Sequence, residues 1–174
     1  MPETPQAAVI ATAAEPGTEP FSWGEVRDRF AEERWYWLAT TGPGGRPQAR
    51  PMLAVWLRGK VYSTTNPGAA KARNLRRHPE CSLAGRSPGL DIVLEGPVSW
   101  VSGRAEAEDV AAAYRDKYDW PVTLTDENMF DAPYGAPTAG SPPYRVYEIT
   151  PSLVYAFGTG EDFPGLRSTR FRFA

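Results

Sequence analysis

One cysteine and one histidine in 174 residues leave several chemistries without their usual parts. A lone Cys81 excludes a disulfide framework and fits a reducing compartment. His78 and Cys81 are too few for a zinc site, so no metal is expected. No Ser-His-Asp arrangement can be assembled, and Asp91 and Glu95, four apart on one strand, do not form a working carboxylate pair. No apolar run approaches the length of a membrane span. The first twenty residues hold four prolines and neither lysine nor arginine, which argues against a secretory signal or a transit peptide. They read as a disordered tail (1–20) on a cytoplasmic protein, with residues 21–174 as one domain.

Acidic residues are missing from one long stretch. Between Arg34 and Pro79, 46 residues, there is no Asp or Glu, yet nine positions are Lys or Arg: 34, 46, 50, 58, 60, 71, 73, 76 and 77. The formal net charge of the chain is only -2, so charge is segregated rather than abundant. Segregation of this kind builds a local positive field and implies an anionic partner, unless the acidic remainder folds against it. Nucleic acid fits poorly, because the pI is near 5.5 and no RNA- or DNA-binding signature is present.

What is plentiful is apolar and aromatic: 41% hydrophobic and 12% aromatic residues, six of them tryptophan, enough for a proper core and more indole than a core requires. Ser22 and Glu25 have the capping-box spacing, flanked by Phe21 and Val26 as a staple, and Trp23, Val26 and Phe30 continue at helical spacing to about Glu33. "WYWLATT" (35–41) is apolar at consecutive positions, as in a strand covered on both faces, and the second cover could be a partner subunit. "GPGG" turns the chain into "RPQARPMLAVWL" (46–57), one return strand with Leu53, Val55 and Leu57 on one face and Arg50, Met52, Ala54 and Trp56 on the other. Strands are further expected over 60–65, 80–85, 90–102, 144–158 and 168–173. A short helix is expected from about Gly68 to His78 and a longer one over 104–120. The aromatics of the 121–143 loop mark it as more than a linker. Short, largely antiparallel strands with helices at the rim suggest a small β-barrel.

The short helix carries the clearest chemistry. Lys71 and Asn74 lie on one helix face near its start. Gly68, Ala69 and Ala70 leave the first backbone N–H groups uncovered, so N–H groups, helix dipole and one lysine together suit a phosphate or carboxylate. Arg73 and Arg77 share another face and would repel unless solvated or paired with an anion. The competing interpretation is a solvated basic surface. An anion site beside many aromatics, with no acid/base machinery, points to a cofactor that does the chemistry itself.

"WLATTGPGGRPQARPMLAVWLRGKVYSTT", then "KARNLRRHPECSL" and "DIVLEG", resemble the flavin and deazaflavin oxidoreductase family with the split β-barrel fold, which includes pyridoxamine phosphate oxidase. The resemblance implies a mainly β fold with flanking helices, an FMN-binding split barrel. It implies that Arg50 reaches cofactor phosphate, that Thr64 and Thr65 run beside the cofactor ring, and that Ala70, Lys71 and Asn74 form the phosphate-binding helix. The oxidase proper has serine and arginine where this chain has Ala69 and Ala70, and an arginine for substrate phosphate where it has Val93. The "AKxRNLRR" wording is closest to the branch using the deazaflavin coenzyme F-420, with FMN as the alternative. The expected function is hydride transfer to a small organic acceptor, in a homodimer. The alternative is a non-catalytic flavin- or haem-binding carrier, or an FMN-dependent pyridoxamine phosphate oxidase-like enzyme.

Overall fold

The computed structural model describes residues 4–11, 14–135, 139–159 and 167–174. In chain order the elements are β1 (Gln6–Val9), α1 (Trp23–Glu32), β2 (Tyr36–Thr41), β3 (Pro47–Met52), β4 (Ala54–Leu57), β5 (Lys60–Thr65), α2 (Ala70–Arg77), β6 (Glu80–Ser87), β7 (Leu90–Trp100), α3 (Arg104–Tyr118), β8 (Thr123–Leu124), β9 (Phe130–Asp131), β10 (Arg145–Ile149), β11 (Leu153–Gly158) and β12 (Thr169–Arg172). The capping box forms in part, with Ser22 accepting the Glu25 N–H at the start of α1.

Antiparallel pairing runs β3–β2–β6–β7–β10–β5–β4. Because β3 runs directly into β4, that path closes on itself and makes a barrel. A branch, β7–β11–β12–β1, extends the sheet to one side. The closure corrects the expected single return strand over 46–57. The chain breaks at Leu53, where β3 leaves β2 and β4 joins β5. The polar backbone freed there is satisfied by side chains. Ser63 Oγ and Tyr114 OH donate to the Leu53 carbonyl at 2.7 and 2.9 Å, and Ala54 N–H donates to Tyr118 OH at 3.1 Å. The two expected faces survive the break and separate two cores. Met52, Ala54 and Trp56 join a cluster with α1 and the inner faces of β2, β6, β7 and β11; Leu53, Val55 and Leu57 join one beneath α3.

One other expectation is corrected. Residues 6–9, assigned to a disordered tail, pair antiparallel with β12 from Gln6↔Arg172 to Val9↔Thr169. Without β1 that edge of β12 would be unpaired. The "WYWLATT" strand is covered on one face within the chain. Tyr36, Leu38 and Thr40 are buried, whereas Trp37 is 57% and Trp35, just before the strand, 59% exposed. No helix among the described residues is long and apolar enough to cross a membrane.

Candidate functional site

α2 begins without a cap. Its N-cap is Ala69, which offers no side-chain acceptor, and no acidic residue lies in the first turn. The first helical hydrogen bond is Arg73 N–H to the Ala69 carbonyl at 3.2 Å, so the N–H groups of Ala70, Lys71 and Ala72 precede the ladder. A cap here would ordinarily be Ser, Thr, Asp or Asn. Alanine leaves the positive end of the helix open to an external acceptor.

The loop before α2 is nonetheless fixed. Asn66 accepts the Gly68 N–H at 2.8 Å and donates to the Ser141 carbonyl at 3.1 Å. Arg73 donates to the Gly68 carbonyl, and Arg76 to that of Pro67 at 3.2 Å. Arg73, expected with Arg77 to repel or await an anion, instead joins Arg76 in clamping the turn that presents the helix end.

That end faces a cavity of about 330 Å³ lined by Ala69, Ala70, Lys71 and Ala139 on one side and Thr40, Gln48, Arg50 and Pro51 on the other. Lys71 is largely withdrawn from water, and burial lowers its pKa below the usual lysine value. Among the described residues no carboxylate pairs with Lys71 or with Arg50, whose guanidinium donates only to its neighbour's carbonyl, Ala49 O, at 2.7 Å. Two cations and a helix N-terminus therefore converge on one cavity with no counter-charge among the described residues that line it.

Asn74 is buried beneath this cavity, an unfavourable residue for a helix interior. Its amide donates to Thr40 Oγ1 at 3.0 Å and to Gln48 Oε1 at 3.1 Å, tying α2 to β2 and β3. Asn74 thus positions two wall residues. Gln48 in turn lies against Gly42, where any Cβ would meet the Gln48 amide at 2.7 Å. Thr64 and Thr65 end β5 and feed the loop into α2; Thr65 is fully buried, and neither lines this cavity.

The family model for pyridoxamine 5'-phosphate oxidase matches residues 22–158. The chain belongs to that family. No curated protein sequence matches it. Among solved structures it is similar to a conserved hypothetical protein from Mycobacterium tuberculosis, with 23% identity over 81% of this chain and 90% of that one and a TM-score of 0.61. An FMN-binding, pyridoxamine 5'-phosphate oxidase-related protein from Nostoc punctiforme PCC 73102 shares 18% identity over 80% and 86% of the two chains, TM-score 0.54. An F-420 reductase shares 20% identity over 74% and 94%, TM-score 0.54. At these identities the likeness is one of fold.

Thr40, Gln48, Pro51 and Ala139 also line this cavity, and none of them was a candidate from the sequence. Thr40 and Gln48 sit opposite each other in the β2–β3 register, and a hairpin pairing drawn from the "GPGG" turn could have put them together. Val93, at the position of the oxidase's substrate arginine, is a half-buried apolar residue between Ala84 and Tyr155. His78 ends α2 through its backbone N–H, 2.8 Å from the Asn74 carbonyl. Cys81 is buried, and burial pushes its thiol up to about 12, which leaves it unreactive.

The segregated charge also stays largely uncancelled. Of the nine basic residues in the acid-free stretch, Arg58 pairs with Asp109 and Lys60 with Glu148. The other seven have no carboxylate partner among the described residues.

Proposed function

We propose that this protein binds the deazaflavin coenzyme F-420 and serves as an oxidoreductase passing hydride to a small organic acceptor. The observation that carries the reading is the convergence of Lys71, Arg50 and the uncapped start of α2 on one cavity without a counter-charge. That donor set fits phosphate. Lys71 and the N–H groups of Ala70 and Ala72 would hold it from the helix, with Arg50 closing from β3 and Asn74 keeping Thr40 and Gln48 in place. Thr64, half-buried on the strand that feeds the helix, would run beside the ring, with the fully buried Thr65 behind it.

When bound, the cofactor supplies the two-electron chemistry, which explains why no catalytic acid or base is needed from the chain. The chain's own part is orientation, a positive field and a partly desolvated ammonium. The preference for F-420 over FMN rests on the surplus of charge: among the described residues Arg46 also lacks a carboxylate partner, and with Lys71 and Arg50 it exceeds what a single phosphate requires and suits a longer polyanionic tail. Tryptophan fluorescence titrations with F-420 and FMN, side by side at rising salt, test this. F-420 should bind more tightly, and salt should weaken it more. Equal or reversed affinities would transfer the reading to FMN. Binding of reduced cofactor with no hydride lost to any acceptor would leave a carrier.

We propose also that the protein is a homodimer, joined through the outer sheet face that carries Trp37.

A further inference from the structure

A second cavity lies at the barrel break. It measures about 220 Å³ and is walled by Trp35, Tyr118, Trp120 and Tyr134, with Leu53 and Arg34. These residues come from four separate places: the α1–β2 junction, the β3–β4 break, the end of α3 and the loop after β9. Trp120 is buried and donates its indole N–H to the Tyr134 carbonyl at 3.3 Å, which holds the loop against the floor. Trp35 and Tyr134 are 59% and 55% exposed, so two large rings line the hollow with more than half of their surface open to solvent. Exposed rings flanking a ring-lined hollow mark a binding site rather than a core.

Arg34 gives the hollow its polarity. Its guanidinium lies 5.5 Å from the centre of the Tyr118 ring, and Nη1 donates to the Lys117 carbonyl at 2.9 Å. Those contacts hold the group at the rim, and among the described residues no other hydrogen bond takes up its remaining donors. Among the described residues no carboxylate pairs with it. The volume sets the size of the occupant. A dry cavity of about 150 Å³ accommodates benzene, so this one suits one or two fused rings.

We propose that this cavity binds a small planar aromatic carboxylate, its rings among Trp35, Trp120 and Tyr134 and its acid on Arg34. The inference is independent of whether the α2 cavity holds a flavin-type cofactor.

The test is calorimetric titration of the full chain with 2-naphthoate and with its neutral amide, 2-naphthamide. Naphthoate should bind saturably below millimolar concentration. Trp35→Ala and Tyr134→Ala, both exposed and so compatible with folding, should each weaken it several-fold to about tenfold. Arg34→Gln should weaken naphthoate about tenfold while changing naphthamide less than about twofold. Lys71→Ala should change neither. Absence of saturable binding at millimolar naphthoate overturns the proposal, as does unchanged affinity in both ring variants. Loss of naphthoate binding in Lys71→Ala would place the acid in the α2 cavity and also overturn it. Equal weakening of both probes by Arg34→Gln would overturn the selection for an acid.

Discussion

An ammonium group withdrawn from water and without a carboxylate beside it has two escapes: it can lose its proton or gain an anion. Lys71 is in that position, and the open N–H groups before it favour the second. A charge-assisted contact to phosphate is worth about 1.5–3 kcal/mol, so Lys71→Ala should weaken cofactor binding roughly tenfold to a hundredfold. Arg77→Ala, at the helix end where the dipole disfavours anions, should have little effect. The comparison is by fluorescence titration, with folding checked by circular dichroism. If neither change matters, the basic helix is a solvated face; if only Arg77→Ala matters, the working end has been misassigned. Lys71 and Asn74 were legible because helix spacing and helix-end chemistry follow from sequence alone. Gln48 was not, since its role depends on a cross-strand register and on the space left by Gly42.

Lys117 is a second partly buried ammonium with a different solution. Its three protons match three acceptors: the carbonyls of Ala31 and Ala54 at 2.7 and 3.0 Å and the Tyr36 hydroxyl at 3.0 Å. It therefore ties α3 to α1, β2 and β4. Burial still lowers its pKa to about 8 from 10.5. The unfolded chain then binds more proton than the folded one between those values, so stability should rise with pH across that window. The slope should be a fraction of one proton, because the group retains some solvent contact. Above pH 10 the buried phenols of Tyr36 and Tyr147, whose pKa values burial raises, make stability fall again. Chemical denaturation at pH 8, 9 and 10 checks this. The rise should vanish in Lys117→Met, and a rise that persists there belongs to another group.

At the scale of elements, the barrel depends on strands that change partners. β7 pairs with β11 through Glu95 and with β10 from Val98, and Gly96 lies at the crossing. A Cβ at Gly96 would fall far inside van der Waals contact with the Thr150 carbonyl oxygen, a backbone atom held by the turn between β10 and β11. Thr150 N–H bonds the Pro97 carbonyl at 3.1 Å and Ser152 N–H the Glu95 carbonyl at 2.9 Å, so that turn cannot withdraw without breaking both. Gly96→Ala should therefore cost about 3 kcal/mol or more, or prevent folding. Gly24→Ala, in the first turn of α1 with nothing near its Cβ, should instead be neutral or stabilise by up to about 1 kcal/mol. Urea denaturation of both variants makes the comparison, and similar stabilities would remove Gly96 as the hinge of the crossing. Partner changes of this kind were illegible in the sequence. The face pattern of 46–57 is continuous across Leu53, and nothing local marks where β3 gives way to β4.

For the whole molecule, the remaining question is what covers Trp37. Cross-strand register puts Pro51, Trp37, Ala84, Val93 and Tyr155 in one row across β3, β2, β6, β7 and β11, on the side away from the core. Phe157, 37% exposed, stacks on Tyr155 at 6.2 Å beside it. These five residues carry no charge, and the row ends against Arg170 on β12. The consecutive apolar residues of "WYWLATT" pointed to cover on both faces, but the strand's own chain covers only the side of Tyr36 and Leu38. Periodicity thus revealed the second apolar face without showing what would lie against it. An apolar row crossed by a two-fold axis would pack against the same row of a second copy. A standard interface buries about 800 Å² on each partner, and at that size the dimer should persist at micromolar concentration. Trp37→Glu places a charge in the middle of the row, where pairing would desolvate two of them, so it should give a folded monomer. Solution scattering on parent and variant measures the mass. A parent already monomeric at micromolar concentration would overturn the dimer, and a variant that remains a dimer would assign Trp37 to a surface other than the dimer contact.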